Sequence, residues 1–211
     1  MDVSKKEYLF ADYDPDVRDR LQVDAVALYS VTPSWMARKI CVALVQKAGA
    51  GARITDGTAC VGGDTMAFAA EFAHVVAVEV DAGRAGMLDA NVEAAGFRGK
   101  VTTLCADYCN VYGSLEQDIV YLDAPWGGPD YWRADKLDLF LQHYEEKVPL
   151  VEICSRVWPR TQTVALKVPV NFDGDKFINE FTKLVRPTYD GCISFKCTDM
   201  RKALLVIVSK F

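Results

Sequence analysis

The sequence predicts an α/β protein built on a mostly parallel seven-stranded sheet, and three observations carry that reading. First, between Ala52 and Phe211 short β-rich apolar runs alternate with segments of helical period. The strands are expected at Ala52–Asp56, Val75–Val80, Lys100–Cys105, Asp118–Leu122, Thr163–Val168, Cys192–Lys196 and Ala203–Val208. Helices are expected between them at Asp64–Glu71, Ala82–Ala95, in a long stretch ending near Trp158, and at Asp175–Leu184. Second, the last two strands are separated only by Cys197–Lys202, too little chain for a crossover helix, so they close the sheet as an antiparallel hairpin. Third, Asp14–Ala27 and Pro33–Lys47 read as helices, the second opened by Pro33 and closed by the Ala-Gly-Ala-Gly of residues 48–51. Residues 1–50 are therefore expected as a helical extension over the C-terminal ends of the strands, covering the active site of a domain spanning 51–211.

With 51% apolar, 25% charged and 11% aromatic residues in 211, the chain is neither disordered nor fibrous. No apolar run, Ala203–Val208 included, approaches the roughly 20 residues of a membrane helix. Residues 1–10 carry Asp2, Lys5, Lys6 and Glu7 and lack a secretory h-region, so the expectation is an intracellular protein of cytoplasm or nucleus. The seven cysteines include no C-x-x-C pair, and only His74 and His143 are available as imidazole ligands, so no metal is expected. The cysteines are read as small buried hydrophobes in a reducing compartment. A net charge of −5 argues against gripping long double-stranded nucleic acid. Residues 1–150 hold −9 and residues 151–211 hold +4, which suits either a short polyanion or a solvated surface.

A parallel sheet ending in an antiparallel hairpin resembles, in strand order, the Rossmann-like fold of S-adenosylmethionine-dependent methyltransferases. The turn Thr55-Asp56-Gly57-Thr58-Ala59-Cys60-Val61-Gly62-Gly63-Asp64-Thr65 follows the first strand, where open α/β sheets bind nucleotide-like ligands. Small residues such as Thr58, Cys60 and Gly62 let the backbone approach a ligand, and Glu79 at the end of the second strand can accept from ribose hydroxyls. No G-x-G-x-x-G is present, and Asp56 would repel a pyrophosphate but suits the cationic amino-acid tail of S-adenosylmethionine. Asp107 and Tyr108 stand where such folds hold the adenine amine and ring; read alone, they are an N-cap aspartate with a packed tyrosine.

The most informative stretch is Leu122-Asp123-Ala124-Pro125-Trp126-Gly127-Gly128-Pro129-Asp130-Tyr131-Trp132, at the end of the fourth strand. Prolines and glycines make a stiff turn that gathers a carboxylate, a backbone carbonyl and a flat ring around one point. That set suits an exocyclic amine on a planar base: Asp123 and the Ala124 carbonyl hold its hydrogens, and Trp126 stacks on the ring.

Three segments together, Asp123–Tyr131, Val61–Gly63 and Tyr29-Ser30-Val31-Thr32-Pro33, resemble the RNA cap guanine-N2 methyltransferase family, of the trimethylguanosine-synthase type. The resemblance runs from about Tyr29 to the end. It implies methylation of the N2 amine of a 7-methylguanosine-capped RNA or cap analogue, with S-adenosylmethionine converted to S-adenosylhomocysteine and no metal involved. It further implies that Trp126 stacks on the methylated guanine, that Pro125 and its neighbours, Asp123 included, hold the amine, and that Tyr29, Ser30 and Thr32 lie against base and cofactor. Asp56, Thr58, Cys60, Gly62, Glu79, Asp107, Tyr108 and Asp123 then line the cofactor.

Three features depart from the family pattern. Asp123-Ala124 replaces serine and proline, Cys60 stands where glycine is usual, and Val170 takes the place of a phosphate-binding arginine. Lys167, with Asn171 nearby, is the expected substitute on the substrate phosphates, Lys5, Lys6 and Arg38 being other candidates. Tyr131, Trp132 and Trp158 are candidates for the second face of the base. Asp123 also resembles the Asp-Pro-Pro-aromatic motif of adenine-N6 methyltransferases, which leaves that activity, or another exocyclic amine, as the alternative. A cap- or cofactor-binding module without turnover is the third reading.

Overall fold

A computed structural model describes residues 3–128 and 130–211; Met1, Asp2 and the motif proline Pro129 lie outside the described residues. Its seven-stranded sheet, mostly parallel and ending in an antiparallel hairpin, bears out the predicted fold class. The chain divides into two compact units, Met1–Tyr108 and Cys109–Phe211.

The first unit contains helices α1 (Val3–Leu9), α2 (Pro15–Arg20), α3 (Ala27–Ser30) and α4 (Ser34–Ala48). They are followed by β1 (Arg53–Asp56), α5 (Gly63–Glu71), β2 (His74–Glu79), α6 (Ala82–Ala94) and β3 (Val101–Cys105). Both β1–β2 and β2–β3 pair in parallel. Helix α4 buries Met36, Ala37, Ile40, Cys41 and Leu44, one stripe at helical spacing. The expected helix Asp14–Ala27 does not form as one element: α2 stops at Arg20, and α3 starts at Ala27. The intervening Leu21 and Val23 alternate inward with Gln22, a period of two, and the side chain of Asn91 pairs with both the N–H and the C=O of Gln22 as a neighbouring strand would. Leu9, Phe10, Leu21, Val23, Ala27 and Val31 of the extension share one cluster with Val61 and Met66.

The second unit contains α7 (Tyr108–Val111, beginning at the boundary), β4 (Ile119–Leu122), β5 (Phe140–His143), β6 (Glu146–Pro149) and α8 (Leu150–Val157). Then come β7 (Thr163–Val168), α9 (Gly174–Val185), β8 (Ile193–Asp199) and β9 (Leu204–Lys210). The full sheet order is β3-β2-β1-β4-β7-β9-β8. The last strand inserts between β7 and β8 because Leu205–Ser209 is buried throughout, whereas β8 carries exposed Lys196 and Asp199 and suits an edge. The long helix expected before Trp158 is in fact the hairpin β5–β6 followed by the eight-residue α8. Leu139 and Leu141 are buried on alternate positions, Tyr144 turns the chain at φ +52°, and Pro149 blocks a helix until Leu150. The expectation of buried cysteines holds for Cys41 and Cys154; Cys60 and Cys109 are half-buried, while Cys105, Cys192 and Cys197 are exposed, the last three on or beside edge strands. No helix among the described residues is long and apolar enough to cross a membrane.

Candidate active site

In the first unit, the end of β1 and the turn after it form a dense polar cradle. Asp56 is 1% exposed; its Oδ2 accepts from the Thr65 hydroxyl at 2.6 Å and its Oδ1 from the Thr58 N–H at 3.3 Å. Cys60 sits at φ +50°, a left-handed conformation that favours glycine, and its N–H donates to Glu79 Oε2 at 2.9 Å. Burial, and then the charge of Glu79, push the Cys60 thiol up to about 12. Gly62 also has positive φ, and a Cβ there would stand 2.9 Å from Leu88 Cδ1. At Gly63 a Cβ would come within 2.8 Å of Val31 Cγ1, so the glycine lets residues 31–32 pass over the start of α5. The Thr32 hydroxyl donates to Asp64 Oδ2 at 2.6 Å, fastening that crossing.

Glu79 ends β2 as predicted, 7% exposed, and its Oε1 accepts from the Asp81 N–H at 2.9 Å and from Arg84 Nε at 3.4 Å. Arg84 also lies 3.6 Å from Asp24 and from Asp81, tying the extension to this corner. Asn91, fully buried, donates to the Val61 carbonyl while holding Gln22. Sequence reasoning missed both Arg84 and Asn91. An Asn on the third turn of α6 and outside every motif offers no pattern, since its role depends on what packs opposite it. Tyr29 is 84% exposed with the Lys5 ammonium 3.4 Å from its ring centroid, and exposed Ser30 donates to the Val26 carbonyl. Arg38 is ion-paired with Asp12 at 2.6 Å, and Lys6 donates to the Asp19 carbonyl. Asp107 is half-buried and Tyr108 is buried at the start of α7.

In the second unit, fully buried β4 delivers Asp123, Ala124, Pro125 and Trp126 in succession. Ala124 is buried, Pro125 exposed and Trp126 half-buried. Gly127 and Gly128 follow at φ +91° and +92°, two consecutive left-handed residues that side chains would strain. Trp126 packs against the edge of Tyr131, with centroids 5.0 Å apart at 72°. Its indole Nε1 is buried with no hydrogen-bond partner among the described residues. Asn171 donates to the carbonyls of Tyr131 and Ala134, so it anchors the returning limb of this loop from inside instead of facing phosphates.

Lys167 requires a correction as well. It is 6% exposed inside β7 and donates to Asp123 Oδ2 at 2.5 Å, so it is the partner of the motif carboxylate and not a surface phosphate ligand. Val170, the position at which the resemblance led to the expectation of an arginine, is 59% exposed. Of the aromatics proposed for the second face of a base, Trp158 is core, edge-on to Phe181 and Tyr189. Trp132 is 65% exposed beneath the Arg133 guanidinium.

The fold class also emerges from comparison with solved structures. The 16S rRNA N2 methyltransferase RsmC of T. thermophilus, in complex with AdoMet and guanosine, is similar at TM-score 0.57 and 17% identity, over 90% of this chain and 44% of that one. The family model described as RNA cap guanine-N2 methyltransferase matches residues 51–210, and the chain belongs to that family. An uncharacterized protein of Acanthamoeba polyphaga mimivirus is 28% identical over 75% of this chain and 58% of its own length. Trimethylguanosine synthase of Schizosaccharomyces pombe is 30% identical over 58% of this chain and 52% of its own. The chain thus spans a little over half the length of these relatives.

Proposed function

We propose that this protein transfers a methyl group from S-adenosylmethionine to the exocyclic N2 amine of guanine, with a 7-methylguanosine RNA cap as substrate. The observation that carries the reading is the Asp123–Gly128 turn, in which a carboxylate, a carbonyl and an indole follow one another off the end of β4, in a chain of this family. The buried carboxylates Asp56 and Glu79 end two adjacent parallel strands, and glycine at position 62 lets the turn that follows β1 pack closely against Leu88. Asp56 suits the amino-acid tail of the cofactor and Glu79 its ribose. The cofactor supplies an electrophilic methyl on a sulfonium.

Trp126 would stack on the base, and the positive charge of a 7-methylated ring adds a cation–π contribution of about 0.5 to 2 kcal/mol. Asp123 and the Ala124 carbonyl would accept from the amine and aim its nitrogen at the methyl that the bound cofactor would supply, and the amine proton would leave to solvent. Alignment is the main source of rate in this account.

Mass spectrometry of products from 7-methyl-GTP, GTP and an adenine-containing oligonucleotide tests it. One or two added methyls on 7-methyl-GTP is the expected result. Methylation of the oligonucleotide would favour adenine N6, the reading to which Asp123 lends support, and cofactor binding without product would favour a binding module.

A further inference from the structure

Strand β7 is buried along its whole length, and Lys167 places a cation inside it. A buried ammonium needs a partner, because desolvation costs more than the surrounding apolar contacts return. The β4–β7 register aligns Leu122 with Leu166, so the next step along both strands sets Asp123 beside Lys167. The ammonium lies 2.5 Å from Asp123 Oδ2 and 5.3 Å from the centroid of Trp126. The acceptor offered to a base and the ring offered for stacking therefore share one cation that the protein itself supplies.

We propose that Lys167 is a specificity-determining residue: it neutralises Asp123 in advance, so that the base pocket is charge-balanced before a substrate arrives. This inference rests on the guanine reading above. Asp123 alone would favour a cationic ring; paired with Lys167 it is a hydrogen-bond acceptor with no net charge to offer. Lys167 thereby narrows the preference for 7-methylguanine over guanine, leaving Trp126 as the element that senses the ring charge. Removing the lysine leaves a carboxylate that a cationic 7-methylguanine can neutralise and neutral guanine cannot. Removing the carboxylate instead leaves an ammonium that repels the cationic ring.

The test is calorimetric binding of 7-methyl-GTP and GTP, in the presence of S-adenosylhomocysteine, to the wild type, Lys167→Met and Asp123→Asn. The two nucleotides carry the same triphosphate, so their ratio isolates the base. Lys167→Met should raise the preference for 7-methyl-GTP at least tenfold, and Asp123→Asn should lower it. If Lys167→Met does not fold, Asp123→Asn reads the same balance from the other side. An unchanged ratio in a folded variant overturns the proposal, because a lysine with a merely structural role weakens both nucleotides alike. A wild type that binds neither nucleotide refutes the guanine reading instead. Thermal unfolding then decides the pair without any substrate: the double substitution should cost less than the two single losses combined, and simple additivity overturns the proposal.

Discussion

Replacing Asn91 by leucine tests how the extension is held to the cofactor turn. The side chain is fully buried and makes three hydrogen bonds, to the Gln22 N–H at 2.6 Å, the Gln22 carbonyl at 2.8 Å and the Val61 carbonyl at 2.8 Å. Leucine keeps the branching and the number of side-chain heavy atoms, so the loss is chiefly polar. At about 1 kcal/mol for each bond the loss is about 3 kcal/mol, with an orphaned carbonyl at buried Val61 adding to it and solvent access at Gln22 subtracting. For a chain of this size that is a fall in Tm of about 6 to 12 °C. Hydrogen exchange should show residues 21–24 opening first, and cofactor affinity should fall because Val61 adjoins Gly62 in the turn. A variant within about 0.5 kcal/mol of wild type by urea unfolding would refute the argument that Asn91 acts as the missing strand for Gln22.

Trp126→Ala should reduce affinity for 7-methyl-GTP by about 10- to 4000-fold, from lost stacking worth about 1 to 3 kcal/mol and the cation–π contribution. Calorimetry should find cofactor affinity within about twofold of wild type, and equal loss of both would make Trp126 structural. Cys60→Gly should stabilise the fold by up to about 1 kcal/mol in urea unfolding, since φ +50° costs a side chain more than glycine loses in chain entropy. With its thiol pushed up to about 12, Cys60 should react with iodoacetamide at pH 8 more slowly than exposed Cys192, as peptide mapping would record. Asp81 caps α6, and the Arg84 N–H it accepts from, followed by the Arg84 charge, holds its carboxyl below the usual range. Its contribution is present above the unfolded-state pKa and disappears as pH falls through the lower folded-state value. Asp81→Asn, which still caps, should therefore narrow the stability difference between pH 7 and pH 3; an unchanged difference would refute that linkage.

The legible parts of the sequence were those governed by local periodicity and backbone chemistry. Strand β7 falls on Thr163–Val168 as predicted, because a buried run of β-branched and apolar residues admits little else. Glu79 and Asp123 stand at strand ends where the alternation puts them. The failures were at elements decided by distant partners. Residues 21–24 abandon the helix because Asn91 is opposite, and residues 139–149 form a hairpin whose signals, Pro149 and the alternation around Leu141, were outweighed by an apparent helical run.

Charge at the site divides the same way. The motif by itself announces a carboxylate, a carbonyl and an indole, since Pro125, Gly127 and Gly128 dictate the turn that gathers them. The net charge that the carboxylate presents is not contained in the motif. Asp123 and Lys167 are 44 residues apart, and only the parallel pairing of β4 with β7 brings them to 2.5 Å. Sequence determined the fold class and the chemistry of each strand end through short-range rules; pairing across the sheet decided which charges meet, because electrostatic energy depends on distance and burial, neither of which local spacing encodes.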